Sequence, residues 1–314
     1  MIVTVTPNPS LDRTLHVQHL VPGAVHRAGH AHLDPGGKGV NVARALVAAD
    51  APATAVLPSG GVEGARVAEL LAPESVPVAQ VPIGTATRSN LAVVESDGTT
   101  SKFNESGPQL TPAESTALQD RAGELGAGAE WVVTCGSVPD GCPPDLHARI
   151  VRAARDAGAA TAVDTSGAEL RHACLAGPDL VKPNLTELAE LAGSPLHDLG
   201  DVLRVAQRLR DGGVGAVLVS LGALGAVLVD GTGSRHATCP PEQVRSTVGA
   251  GDATLAGFLL GGGGGDRALR TAVAYGAAAV GLAGTRMPRP ADVHPDRVQV
   301  RAVDETASLS GVAA

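Results

Sequence analysis

Apolar runs of strand length alternate with segments of helical apolar spacing along most of this sequence, and that alternation limits the fold more than any other feature. The runs at 2–6, 53–57, 131–134, 161–164, 180–182 and 216–220 are predominantly apolar. Strands of that kind need cover on both faces, the condition met by a mostly parallel sheet built from strand–helix–strand units. The same spacing predicts helices over 40–49, 62–71, 112–125, 145–157, 185–191, 202–210, 253–260 and 267–282. The fold class is therefore α/β.

Two stretches interrupt the alternation, 11–33 and 85–104. In the second, 90–94 and 100–104 flank Ser96-Asp97-Gly98, which reads as a β-hairpin. Short strands inserted early in an α/β chain suggest a small sheet over one edge of the domain, a lid formed by segments 11–34 and 85–105. No linker or internal repeat divides residues 1–314, so one domain is expected, and the glycine run at 261–265 reads as a flexible spacer between helices.

Composition narrows the function. No run of about 18 apolar residues is present, and the first six residues lack the basic start of a signal peptide, so a cytoplasmic protein with no membrane partner is expected. Cys135, Cys142, Cys174 and Cys239 have no C-x-x-C spacing and read as reduced, structural residues. The net charge is −8, with no basic block and four aromatic residues, which argues against nucleic acid as a partner. An anionic ligand must then meet local positive charge. Cations other than arginine are rare: Lys38, Lys102 and Lys182 are the three lysines, and Asn8, Asn41, Asn90, Asn104 and Asn184 are the five asparagines. In so biased a composition the survivors point to places that arginine or aspartate cannot fill.

Several segments could carry chemistry. In Thr247-Val248-Gly249-Ala250-Gly251-Asp252, glycines precede an apolar helix, and amides turned toward one point at a helix N-terminus attract an anion. Asp252 is either the base of a phosphoryl transfer or a helix N-cap. Pro35-Gly36-Gly37-Lys38-Gly39-Val40-Asn41 again sets glycines before a helix, yet meets neither the G-x-G-x-x-G nor the P-loop pattern. Its turn could bind sugar hydroxyls or a phosphate, or could simply pack closely. Asn184 with Glu187 three residues on reads as a capping box, or as a place for Mg²⁺ and a triphosphate. Ser220-Leu221-Gly222-Ala223-Leu224-Gly225 ends a strand, where a nucleotide or an ordinary turn would fit. Arg27, Arg88 and Asn90 lie on the lid segments and could hold a substrate phosphate.

Taken in order, the segments Thr4 to Arg13, Gly36 to Asn41, Thr87 to Asn90, Gly136-Ser137, Lys182 to Glu187, Ser220 to Gly225 and Thr247 to Asp252 resemble the ribokinase-like (PfkB-type) carbohydrate kinases over almost the whole chain. Within that family the chain is similar to the 1-phosphofructokinases, the tagatose-6-phosphate kinases and the minor 6-phosphofructokinases. The resemblance implies a three-layer α/β/α sandwich with a β-sheet lid, often shared across a homodimer, and a reaction between a sugar phosphate and MgATP. It implies Asp252 as base, with Gly249, Ala250 and Gly251 as anion hole. Asp12, Gly37 and Asn41 match positions that bind sugar hydroxyls, and Arg27, Lys38, Arg88, Asn90 and Ser137 match those around the phosphate-bearing substrate. Lys182, Asn184, Ser220, Gly222 and Gly225 match the ATP side, with Glu187 toward the metal. Lys102 is added to the substrate group for its rarity and lid position alone. Lys38 in the glycine loop favours the fructose 1-phosphate and tagatose 6-phosphate branches over the minor 6-phosphofructokinases.

Overall fold

In a computed structural model, which describes residues 1–29, 31–240 and 243–309, the chain forms two sheets and nine α-helices among those residues. The elements in order are β1 (Ile2–Val5), β2 (Ser10–His16), β3 (Ala31–Gly36), α1 (Lys38–Ala48), β4 (Ala53–Ser59), α2 (Gly61–Leu71), β5 (Val78–Pro82), β6 (Arg88–Val94) and β7 (Thr100–Asn104). There follow α3 (Pro112–Gly126), β8 (Trp131–Cys135), α4 (Leu146–Asp156), β9 (Ala160–Asp164), α5 (Gly167–Leu175), β10 (Leu180–Val181), α6 (Leu185–Ala192) and α7 (Leu199–Asp211). The last part comprises β11 (Ala216–Ser220), β12 (Ala226–Asp230), β13 (Gly233–Thr238), α8 (Ala250–Leu260), α9 (Gly265–Val280) and β14 (Gln299–Arg301).

The large sheet runs β14-β13-β12-β11-β10-β9-β8-β1-β4-β5, parallel from β5 to β11 and antiparallel beyond. Period-two alternation sorts its side chains to two cores. Trp131, Val133, Cys135, Ala162, Leu180 and Leu218 face α1, α8 and α9. Val3, Val5, Val132, Val163, Val181 and Val217 face the opposite helices α3 to α7. The inner parallel strands are thus covered on both sides, which is why their runs are mostly apolar, whereas the edge strand β5 is only partly covered. Among the described residues no helix is long and apolar enough to cross a membrane.

The small sheet runs β3-β2-β6-β7. β6 and β7 form the expected antiparallel hairpin, and β2 pairs in parallel with β6, Asp12 lying opposite Asn90. The sequence reading omitted α5, β5, β12, β13 and β14. Beyond β11 the sheet continues as antiparallel strands joined by the turn at Asp230, so the strand–helix rhythm stops there. The glycine run joins α8 to α9, and two of its positions are closely packed. A Cβ on Gly261 would stand 2.5 Å from the Ala268 backbone and one on Gly263 2.5 Å from the Trp131 ring, so α9 returns tightly on α8 and the connection between them packs against the start of β8.

Candidate active site

The carboxyl ends of the parallel strands, α1, α6, α8 and the inner edge of the small sheet enclose a cleft of about 670 Å³. Its position follows from topology, because ligands in open α/β sheets bind outside the carboxyl ends of the strands. The size suits two small ligands in contact.

At its floor stands Asp252, in the first turn of α8. The helix is capped by Gly249, in the left-handed conformation at φ 78°, so Asp252 is not the cap. Its carboxylate instead accepts a hydrogen bond from Asn41 Nδ2 at 2.8 Å. Burial, then the charge of Asp164, push the Asp252 carboxyl up to about 6, against the Asn41 hydrogen bond and Lys38 and Lys182. The opening amides of α8 have no acceptor within their own helix, and the helix dipole adds to their pull on an anion. A Cβ on Gly251 would lie 3.4 Å from Lys182 Nζ, so the glycine turn and this ammonium share one space.

Lys182 is 4% exposed, and its charge is met by Asp164 Oδ2 at 2.8 Å. Lys38 Nζ reaches the other oxygen of Asp164 at 2.8 Å and lies 3.8 Å from Glu187. Asp164, followed by burial against it, holds Lys38 protonated well above its usual value. Burial pushes the Asp164 carboxyl up, but Lys182 and Lys38 outweigh it and bring it to about 2. Burial also raises Glu187, opposed first by Lys38. Lys38 was expected beside the sugar phosphate; the two carboxylates draw its ammonium toward the Lys182–Glu187 side instead.

Asn184 and Glu187 form a complete capping box: Glu187 N donates to Asn184 Oδ1 and Asn184 N to Glu187 Oε2, both at 2.8 Å. That fixes Glu187 with its second oxygen turned to Lys38. Among the described residues no three His, Cys, Asp or Glu side chains gather as a metal site. Glu187 and Asp164 are hard oxygen donors, so the residues fit a Mg²⁺ that arrives on phosphate oxygens and keeps its waters, not one held in a protein cage. Ser220, Gly222 and Gly225 line the same side, and Val244, Val273, Ala277 and Val280 give it an apolar end. Gly225 has φ 82°, and a Cβ there would stand 2.0 Å from the Ala237 carbonyl oxygen. Gly225→Ala should therefore lower stability by about 3 kcal/mol, read as a fall in thermal midpoint, through left-handed strain and a backbone clash.

Toward the small sheet the lining changes to Asp12, Ser10, Asn90 and Arg88. Asn90 Nδ2 donates to Asp12 Oδ1 at 2.9 Å and to Ser10 Oγ at 3.0 Å. Arg88 donates to the carbonyls of Asn8 and Glu105 at 3.0 and 2.8 Å. Arg88 Nε, Asn90 Oδ1 and Asn8 Oδ1 are buried without a hydrogen bond, an arrangement that suits a polar, hydroxylated ligand. Gly37, at φ 123°, lets the chain turn beside this group, where a Cβ would press within 2.7 Å of Thr6. Ser137 stands outside the lining but accepts a hydrogen bond from Asn8 Nδ2 at 3.1 Å. The preceding Gly136 carbonyl is held by Thr165 Oγ1 at 2.8 Å and His147 Nε2 at 2.9 Å. A carbonyl only accepts, so His147 carries its proton on Nε2, and burial keeps its charged form down to about 4.

Two expected residues do not join the site. Arg27 is exposed in the connection between β2 and β3, and Lys102 is exposed on β7, the edge of the small sheet; neither lines the cleft. Lysine is common on an exposed edge strand, which accounts for Lys102 without a ligand. Sequence reasoning missed Asp164 and Ser10, and it marked Asn8 by rarity without giving it a role. An acidic residue at the carboxyl end of a buried parallel strand was the available signal for Asp164.

The sequence profile of the pfkB family carbohydrate kinases matches residues 6–292. A 1-phosphofructokinase of Rhodobacter capsulatus is 38% identical over 92% of this chain and 93% of its own length. ATP-dependent 6-phosphofructokinase isozyme 2 of Escherichia coli is 37% identical over 82% of this chain and 84% of its own. The crystal structure of phosphofructokinase-2 from Escherichia coli in complex with potassium superimposes with a TM-score of 0.88 at 36% identity, covering 93% of this chain and 96% of that one.

Proposed function

The chain belongs to the pfkB family of carbohydrate kinases and is a phosphotransferase acting on a sugar hydroxyl; from that premise we propose that it converts fructose 1-phosphate and ATP to fructose 1,6-bisphosphate and ADP. The observation that carries this reading is one cleft holding a buried, hydrogen-bonded carboxylate, Asp252, beside a pair of lysines on one side and a sugar-sized polar corner on the other. The 38% identity to the 1-phosphofructokinase supports the choice of sugar.

In this reading Asp12, Asn90 and Asn41 hold the sugar hydroxyls, and Arg88 holds the phosphate it already carries, with Ser137 steadying the neighbouring Asn8 from outside the lining. ATP lies along Lys182, Asn184, Ser220, Gly222 and Gly225, with its purine between Val244, Val273, Ala277 and Val280. Asp252 accepts the proton of the attacking hydroxyl as that oxygen meets the γ-phosphorus. The transition state is loose and its charge lies on the phosphoryl oxygens, so positioning and cations matter more than base strength. The amides of Gly249, Ala250 and Gly251 with Lys182 and Lys38 meet that charge. Mg²⁺, bound with ATP on the Glu187 and Asp164 side, would neutralise phosphate charge. The whole chain acts as one domain in the cytoplasm, where ATP is available, with segments 11–34 and 85–105 as a lid over the sugar and a second copy of the chain against the lid.

A panel of fructose 1-phosphate, tagatose 6-phosphate and fructose 6-phosphate, each with MgATP and an ADP readout, tests the substrate. The proposal expects fructose 1-phosphate to give the highest kcat/KM. Preference for fructose 6-phosphate would favour the second reading, which the 37% identity to the 6-phosphofructokinase supports. Binding without ADP formation would reduce the protein to a sugar-phosphate sensor. Because the base must be ionised, kcat should fall tenfold per pH unit below an acid limb at about 6, measured at saturating substrates.

A further inference from the structure

Arg44 sits on α1 one turn beyond Asn41, is 6% exposed and does not line the cleft. Its Nε and Nη2 donate to the two carboxylate oxygens of Glu74 at 2.8 and 2.7 Å. Nη1 donates to the Thr285 carbonyl at 3.2 Å and to Asn41 Oδ1 at 3.5 Å. On its other side Asn41 Nδ2 donates to Asp252. A guanidinium only donates and an ionised carboxylate only accepts, so both neighbours demand the same orientation of the amide. Turned over, Asn41 would face its oxygen to the carboxylate and its NH₂ to the guanidinium, and two hydrogen bonds would become two repulsions.

We propose that Arg44, braced by Glu74, is a positioning residue that fixes the amide of Asn41 and through it the carboxylate of Asp252. The proposal rests on the reading of Asp252 as the base. The bidentate fork with Glu74 supplies the rigidity, since it holds the guanidinium plane as well as its charge. Glu74 follows α2 and Thr285 follows α9, so the fork also ties two outlying segments to the helix that carries Asn41.

The test is the pH profile of kcat, from pH 5 to 9, for the parent, Arg44→Lys, Asn41→Ala and the double variant. Lysine keeps the charge and loses the planar fork. Without a firmly oriented donor the Asp252 carboxylate is less well stabilised, so in Arg44→Lys the acid limb should move up by roughly half a unit to one unit. KM for the sugar phosphate and for ATP should stay within about twofold of the parent. Asn41→Ala should move the limb at least as far, and Arg44→Lys should add no further shift to it. A uniform fall in kcat at every pH, or shifts that add in the double variant, would reduce Arg44 to a structural clamp and overturn the proposal. A parent with an acid limb that Arg44→Lys leaves in place sinks this relay alone. A parent without any acid limb sinks the base assignment, and the relay with it.

Discussion

Asp252→Asn should lower kcat by roughly 10³-fold while leaving KM for both substrates near the parent values, because general base catalysis is worth about 10² to 10⁴ and the amide keeps the carboxylate's shape. Binding has little to lose. The substitution removes a negative charge from a site that receives two phosphorylated ligands, so ground-state repulsion falls. The same change should stabilise the fold. The Asp252 carboxyl stands at about 6 against an ordinary 3.8, so the folded state holds its proton more tightly than the unfolded chain. The ionised group therefore opposes folding above its unfolded value, fully so above pH 6, by up to about 3 kcal/mol. Lost turnover with a higher thermal midpoint at pH 7.5 is the double signature expected of a base held at the expense of stability. Steady-state kinetics and a thermal melt on one preparation measure both. Turnover within tenfold of the parent would remove Asp252 from the role of base.

Asp164→Ala should have the largest effect on stability. It leaves Lys182, buried at 4% exposure, and Lys38 without their shared carboxylate. Deleting one partner of a buried ion pair costs about 3–5 kcal/mol, because the remaining charge keeps its desolvation penalty. For a chain of this length that corresponds to a fall in Tm of roughly 10 °C. The effect depends on pH in a defined direction. Asp164 is depressed from 3.8 to about 2 in the folded protein, so its contribution is present above its unfolded value and fades as pH falls through the folded one. Parent and variant melts should converge toward pH 2 and be furthest apart near neutrality. Equal Tm values at pH 7.5 would show that the lysines find other partners when Asp164 is lost.

The strand–helix rhythm was legible because burial on both faces leaves a chain of this composition no other way to place so many apolar runs. The small sheet was legible only in part. The hairpin of β6 and β7 declares itself by its turn, whereas β2 pairs with β6 across a long stretch of chain and no local pattern records that. Rarity located Lys182 and Lys38 within the cleft, and it misled at Lys102, where an exposed sheet edge is reason enough for a lysine. It also hid the direction of Lys38, because only the fold brings Asp164 from the end of β9 against a residue that opens α1. Asp252 could be suspected from its glycines; its partner Asn41 lies 211 positions away, and only packing of α1 against α8 joins them.

The tight return of α9 has an optical consequence. The glycine turn at Gly263 closes over Trp131, the sole tryptophan in the chain and 8% exposed. Trp131 opens β8, whereas the cleft lies beyond the strand's other end, next to Gly136. Its emission therefore reports from a mostly buried position remote from the reacting groups. Intrinsic fluorescence at a single wavelength should follow loss of the folded core and change little on binding of nucleotide or sugar.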